Sequence, residues 1–226
     1  MTDFPFDIVG FDLDGTLLDT SPDLLAATNH ALAQVGRPLI AADRIKSMIG
    51  GGAKRMLERA LAESGGADEA TMARAYPALL EFYGENLSHG TVAFQGLAEA
   101  LDDLEERGVK VAIVTNKFER FAVKLVTEMA LHHRFACVIG GDTMGKGNAK
   151  PSAAPIHEMI RRCGGGRAAF VGDSTFDIMA AKNAGIPSIA VSFGFLTQPV
   201  EELGADAVID GYDELVPALL KLGGAA

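Results

Sequence analysis

No apolar run in this chain approaches the ~18 residues that a membrane-spanning helix needs, and there is no internal repeat or low-complexity tract. The opening residues 1–6 have neither the basic start nor the apolar stretch of a secretory signal. These absences predict a cytoplasmic protein without a membrane partner. Cysteine occurs only as Cys137 and Cys163, far apart and without the paired spacing of a metal site. A disulfide stays open as an alternative, but two reduced thiols are the plainer reading. The five histidines show no helical i, i+4 ligand spacing. Basic residues are also short: 20 Lys and Arg face 30 Asp and Glu, a net charge of −10. A surface that negative opposes nucleic acid and anionic lipid, so neither is expected as a partner. Any anionic ligand must instead be met by local cations or by a metal.

What is present is ample material for a core, since 48% of the residues are hydrophobic. Short apolar, β-rich runs occur at 7–12, 109–114, 135–139, 168–171, 188–191 and 207–209. Helical patterns lie between most of them, at 97–107, 118–129, 154–163, 176–184 and 213–222. Strands alternating with helices predict an α/β protein with a doubly wound parallel sheet. Residues 22–87 break the alternation with helix signals alone. Ser21 reads as an N-cap ahead of Pro22, Gly36 ends that helix, and two more follow at 53–63 and 70–86 after the glycine-rich break at 48–52. Gly164–Gly166 and Gly223–Gly224 read as loops or a frayed tail. The expected layout is a catalytic core of residues 1–18 and 89–226, with a helical insert of residues 19–88.

In a parallel sheet, ligands bind beyond the carboxyl ends of the strands. The polar residues expected there are Asp12, Asp14 and Thr16; Thr115, Asn116 and Lys117; Lys150; and Asp173, Ser174 and Asp177. Any one acid alone reads as a helix N-cap. Four on one rim would repel one another unless a cation sat among them. A hard divalent ion with oxygen ligands, Mg²⁺, suits such a set, and Thr115, Asn116 and Lys150 supply the donors that a phosphoryl group wants. Thr16 and Ser174 are open to purely structural roles, as caps of the turn after Gly15 and of the helix holding Asp177. Lys117 reads equally as a solvated helix-start residue or as a ligand.

The segments Asp12-Leu13-Asp14-Gly15-Thr16-Leu17, Thr115-Asn116, Lys150-Pro151 and Gly172-Asp173-Ser174…Asp177 resemble the four ordered motifs of the haloacid dehalogenase superfamily. The helical insert is similar to that superfamily's C1-type cap. Val114–Lys117, the 49–53 and 58–61 segments, Phe193-Gly194-Phe195 and 205–210 narrow the resemblance toward the phosphoglycolate phosphatase branch. Gln95, where that branch usually has proline, and the altered spacing from Pro151 to Pro155 depart from it.

The resemblance implies a hydrolase acting on a small phosphorylated metabolite, as a monomer or homodimer. Asp12 would be the nucleophile and would carry an aspartyl-phosphate. Asp14 would be the general acid and base. Asp12, the Asp14 backbone carbonyl and Asp173 would hold Mg²⁺, while Asp177 would hold a metal-bound water or orient Lys150. Lys54 and Arg55, at the start of an insert helix, are candidates for substrate specificity. Phosphatases of sugar phosphates such as hexose phosphates or N-acetylmuramic acid 6-phosphate, and a β-phosphoglucomutase-like phosphomutase, share the motifs. A phospho-accepting signalling module shares the acids, Thr and Lys, but is disfavoured by the Asp12/Asp14 spacing and the insert.

Overall fold

The computed structural model describes residues 4–224; Met1–Asp3, half of the segment read for a signal peptide, lie outside the described residues. The chain runs β1 (Ile8–Phe11), β2 (Leu18–Asp19), α1 (Ser21–Gln34), α2 (Ala42–Ile45), α3 (Ala53–Ala62), α4 (Glu69–Glu85), β3 (Val92–Ala93), α5 (Leu97–Glu106), β4 (Lys110–Val114), α6 (Glu119–Glu128), β5 (Val138–Ile139), α7 (Ala154–Arg162), β6 (Ala168–Gly172), α8 (Thr175–Ala184), β7 (Ser188–Val191), β8 (Ala207–Ile209) and α9 (Leu215–Gly223). Six strands form one parallel sheet in the order β5-β4-β1-β6-β7-β8. The chain starts in the middle, builds outward on one side, then crosses back to build the other. The strand order therefore reverses around β1, which is where a crevice opens at the carboxyl edge.

The sequence of β1 shows why both faces are covered. Its four residues are all buried, and successive side chains point to opposite faces. Val9 and Phe11 enter one apolar cluster with Leu101 of α5, Leu125 of α6 and Leu219 of α9. Ile8 enters another with Ile156 and Met159 of α7 and Ala181 of α8. Gly10 lies so close to α7 that a Cβ there would stand 2.3 Å from the Met159 sulfur.

Between the short antiparallel strands β2 and β3, paired Leu18 to Ala93 and Asp19 to Val92, the chain is helical. Helices α1 and α4 pack along each other through Leu24, Ala27 and Leu32 on one and Ala75, Leu79 and Tyr83 on the other, and α3 adds Met56, Leu57 and Leu61. The two-residue strands were too short to show as a periodic pattern, as was the four-residue α2.

Several local expectations are corrected. Thr20, not Ser21, occupies the N-cap of α1, and no side-chain cap bond forms there. Asp19 instead accepts from Ser21 N at 3.0 Å and Ser21 Oγ at 2.5 Å. The run at 135–139 is a strand only at Val138–Ile139; it is an edge strand, paired among the described residues only to β4. Gly223 ends α9 rather than lying in a tail. Cys137 and Cys163 are both free thiols, brought together in one apolar cluster by the packing of α7.

Candidate active site

Strands β4, β1 and β6 are neighbours and end at one edge, so the residues that follow them converge: Thr115, Asp12 and Asp173. The chain after Asp12 must turn back at once, and Gly15 provides the turn with a φ of 84°, a region that L-residues with a Cβ rarely occupy. Space imposes the same choice, since a Cβ at Gly15 would stand 2.1 Å from Asp173 Oδ2. Phe195 N donates to that same Oδ2 at 2.6 Å, which fixes the Asp173 carboxylate against the loop after β7.

Asp12, Asp173 and Asp177 are buried, with one carboxylate oxygen from each within 4.8 Å of the others. Lys150 Nζ stands 2.9 Å from Asp12 Oδ1 and 2.5 Å from Asp177 Oδ1. The Asp12 contact is an ion pair without hydrogen-bond geometry, and Asp12 Oδ1 is otherwise unpartnered. Burial, only partly offset by Lys150, lifts the Asp12 carboxyl from the ordinary 3.8 to about 6, and Asp177 and Asp14 push the same way. Burial also lifts Asp173 well above the usual range, reinforced by Asp177 and Asp12. Burial pulls Lys150 down, but Asp12 and Asp177 outweigh it and hold the ammonium firmly protonated. One lysine among three carboxylates leaves the cluster short of positive charge. Its donors are all hard oxygens, with one unpartnered, and they fit a divalent cation such as Mg²⁺.

Asp177 has two tasks: one oxygen meets Lys150, and the other accepts from Ser174 N at 3.0 Å and Ser174 Oγ at 2.5 Å. Ser174 thus sits at the N-cap of α8, as the capping alternative anticipated. The capping alternative for Thr16 is overturned. Its hydroxyl is buried without a partner, and its carbonyl accepts from Tyr212 Oη at 2.8 Å. Asn116 Nδ2 donates to the Lys150 carbonyl at 3.1 Å, tying the second motif to the third. Thr115 is buried, and its oxygen accepts from Lys117 N at 3.2 Å, leaving the hydroxyl hydrogen free to donate.

Asp14 belongs to a separate group. Its Oδ1 accepts from Thr20 Oγ1 at 2.6 Å and from Lys117 Nζ at 2.5 Å. Lys117 is no solvated helix-start residue: its side chain is 5% exposed, and its ammonium lies 4.9 Å from the centroid of the Tyr83 ring. Its position beside Asn116 was a hint in the sequence. Thr20 and Tyr83 carried none, because only the packing of α1 and α4 over the sheet edge brings them to Asp14.

A cavity of about 600 Å³ opens between the sheet edge and the helical insert. Asp12, Asp14, Thr115, Asn116, Lys150, Asp173 and Asp177 all line it, as do Gly50–Gly52 and Lys54. Lys54 is exposed and 3.9 Å from Glu58. The Arg55 guanidinium lies over the Phe176 ring at 5.3 Å. Arg55 does not itself line the cavity, though Phe176 does.

The family model described as haloacid dehalogenase-like hydrolase matches residues 9–191. A protein of Caulobacter vibrioides named phosphoglycolate phosphatase is 38% identical over 217 residues, covering 95% of this chain and 91% of its own. One of the same name from Agrobacterium fabrum is 38% identical, covering 93% and 91%. Among solved structures, one described as a predicted phosphoglycolate phosphatase, from Haemophilus somnus, superposes with a TM-score of 0.84 at 28% identity, covering 94% of this chain and 97% of its own.

Proposed function

The chain belongs to the haloacid dehalogenase-like hydrolase family and is a phosphoric monoester hydrolase; from that premise we propose that it cleaves 2-phosphoglycolate through a phosphorylated Asp12. The observation that carries the catalytic part is the convergence of Asp12, Lys150 and Asp173 at one strand edge, with Asp14 two residues from the nucleophile. The relatives named phosphoglycolate phosphatase, matched over nine-tenths of their length, support the substrate.

In the first half-reaction an Asp12 carboxylate oxygen attacks phosphorus in line with the ester oxygen. The bond from phosphorus to that ester oxygen breaks, and Asp14 gives its proton to the departing alkoxide. In the second half, Asp14 takes a proton from water, whose oxygen bonds to phosphorus as the bond from phosphorus to the Asp12 oxygen breaks. Both carboxyls return to their starting states. Lys150, held by Asp177, and the Thr115 hydroxyl would meet phosphoryl oxygens, with Asn116 donating to the Lys150 carbonyl. Such fixed donors act where charge develops, which is the main source of stabilisation for phosphoryl transfer. Mg²⁺, held by Asp12, Asp173 and the Asp14 carbonyl, would supply the positive charge that draws the phosphoryl group to Asp12. The helices from α1 to α4 act as a cap that keeps bulk water off the reacting atoms, with Lys54, which lines the cavity, and Arg55, stacked over Phe176, as the basic groups at the start of α3.

The cavity volume favours a second reading. About 600 Å³ is room for a ligand well above the size of glycolate phosphate, such as a hexose phosphate. The test covers both readings. Asp12→Asn should abolish turnover of every phosphate ester and the mass gain of one phosphoryl group on the trapped wild-type protein. Chelation should stop the wild type and Mg²⁺ should restore it. Specificity constants for 2-phosphoglycolate and hexose phosphates then choose the substrate. Substantial turnover by Asp12→Asn would refute the mechanism.

A further inference from the structure

The group that protonates a leaving oxygen must touch it, so whatever is bonded to that oxygen lies beside Asp14. In 2-phosphoglycolate this is a methylene followed at once by a carboxylate, which leaves the carboxylate only a few ångströms of reach. What surrounds Asp14 therefore decides how the carboxylate is met. Lys117 Nζ is 2.5 Å from Asp14 Oδ1. The same ammonium faces the Tyr83 ring at 4.9 Å, and Tyr83 lines the cavity. Tyr83 is 3% exposed, and among the described residues its hydroxyl finds no partner of good hydrogen-bond geometry, only the nearby Lys117 ammonium. A phenol oxygen in that position normally finds one.

We propose that Lys117 and Tyr83, neighbours in the cavity wall, form the subsite for the substrate's carboxylate. The proposal rests on the phosphoglycolate reading above. An ammonium has three N–H donors, and the hydrogen bond to Asp14 uses one. The Tyr83 phenol supplies a further donor, and burial pushes its pKa up to about 12, so it stays protonated across the working range. The walls nearby are apolar: Leu24, Met56, Leu79, Phe118 and Phe121. A charge-assisted hydrogen bond in such surroundings is stronger than one in water. The subsite is split between layers, since Lys117 follows β4 and Tyr83 comes from α4, so a bound carboxylate bridges the insert and the sheet edge. Lys54 and Arg55 are less suited: Lys54 is 66% exposed, and Arg55 lies over Phe176 outside the cavity lining.

The probe is a pair of esters, 2-phosphoglycolate and ethyl phosphate, which differ in having a carboxylate or a methyl group. Their dissociation constants are measured by calorimetry with Mg²⁺ on Asp12→Asn protein, so that nothing turns over. Tyr83→Phe, added to that background, keeps the ring in the core and removes only the hydroxyl, and an unchanged urea midpoint checks that the fold is kept. The preference for 2-phosphoglycolate should fall roughly tenfold or more, the weight of a hydrogen bond to a charged group. Lys54→Ala should leave the preference in place. If Asp12→Asn prefers 2-phosphoglycolate and Tyr83→Phe keeps that preference intact, the subsite is wrong and the substrate reading stands. If Lys54→Ala erases the preference while Tyr83→Phe does not, the carboxylate is read at the start of α3 and the proposal is overturned. If Asp12→Asn shows no preference at all, the phosphoglycolate reading fails and takes the subsite with it.

Discussion

Asp173 carries the cost of crowding carboxyl groups in a buried site. Burial, Asp177 and Asp12 all disfavour its charged form, and Asp12 is lifted to about 6 for similar reasons. An acid whose pKa is higher folded than unfolded favours the fold while protonated. That contribution is complete below the ordinary 3.8 and is lost as pH rises through the folded value. The metal-free protein should therefore lose stability as pH rises from about 4 through about 6, where Asp12 ionises, with Asp173 adding to the loss in the same direction. Asp173→Asn, which keeps an oxygen to accept from Phe195 N, should flatten that decline. At pH 7 without metal it should raise Tm by roughly 2–6 °C. The same substitution should remove most of the Tm increase that Mg²⁺ gives the wild type. Thermal unfolding from pH 4 to pH 8, with and without Mg²⁺, measures both. A variant less stable than the wild type at pH 7 without metal would contradict the account.

At the scale of elements, one buried side chain ties the insert to the segment that leads back to the sheet. Asp23, in the first turn of α1, accepts from Gly90 N at 2.9 Å, Thr91 N at 2.8 Å and Thr91 Oγ1 at 2.7 Å. These bonds fasten the start of α1 to the segment leading into β3, beside the β2–β3 pair that brackets the helices from α1 to α4. Losing them strands buried backbone donors, which costs more than the bonds themselves contribute. Asp23→Ala should cost about 3 kcal/mol, read from the urea midpoint at unchanged slope. Asp23→Asn keeps one acceptor oxygen and should cost less. Equal midpoints for Asp23→Ala and wild type would show that the junction is held elsewhere.

Over the whole molecule, a net charge of −10 opposes the approach of a doubly charged phosphate. The cations of the site, Lys117 and Lys150, are buried and already paired with Asp14, Asp12 and Asp177, so the long-range field is set by the acidic surface. Salt screens that field over about 8 Å at 0.15 M. Raising ionic strength from a few millimolar to about 0.15 M, at fixed Mg²⁺, should raise kcat/KM for a phosphate dianion by roughly twofold. A fall instead would mean that exposed Lys54 and Lys146 at the cavity focus the substrate more strongly than the net charge repels it. No helix among the described residues is long and apolar enough to cross a membrane.

The sequence by itself determined the sheet and the residues at its edge. Alternation of short β-rich runs with helical patterns is a local signal, and the strand that leads into Asp12 is apolar at every position, as covering both of its faces requires. Once the strands are known to be parallel, Asp12, Thr115 and Asp173 must gather at one end, and a reader of the sequence can place them there. Lys117 was legible only as an alternative, because nothing local says whether a lysine after a strand points to water or inward. Tyr83 and Thr20 were not legible at all. They lie 69 and 6 residues from Asp14, on α4 and just before α1, and periodicity marks Tyr83 as one more apolar position on a helix. Only the packing of α1 against α4 over the sheet edge turns that face toward Asp14. Periodicity reports which side of a helix is buried, while the identity of the group it is buried against is fixed by tertiary contacts alone.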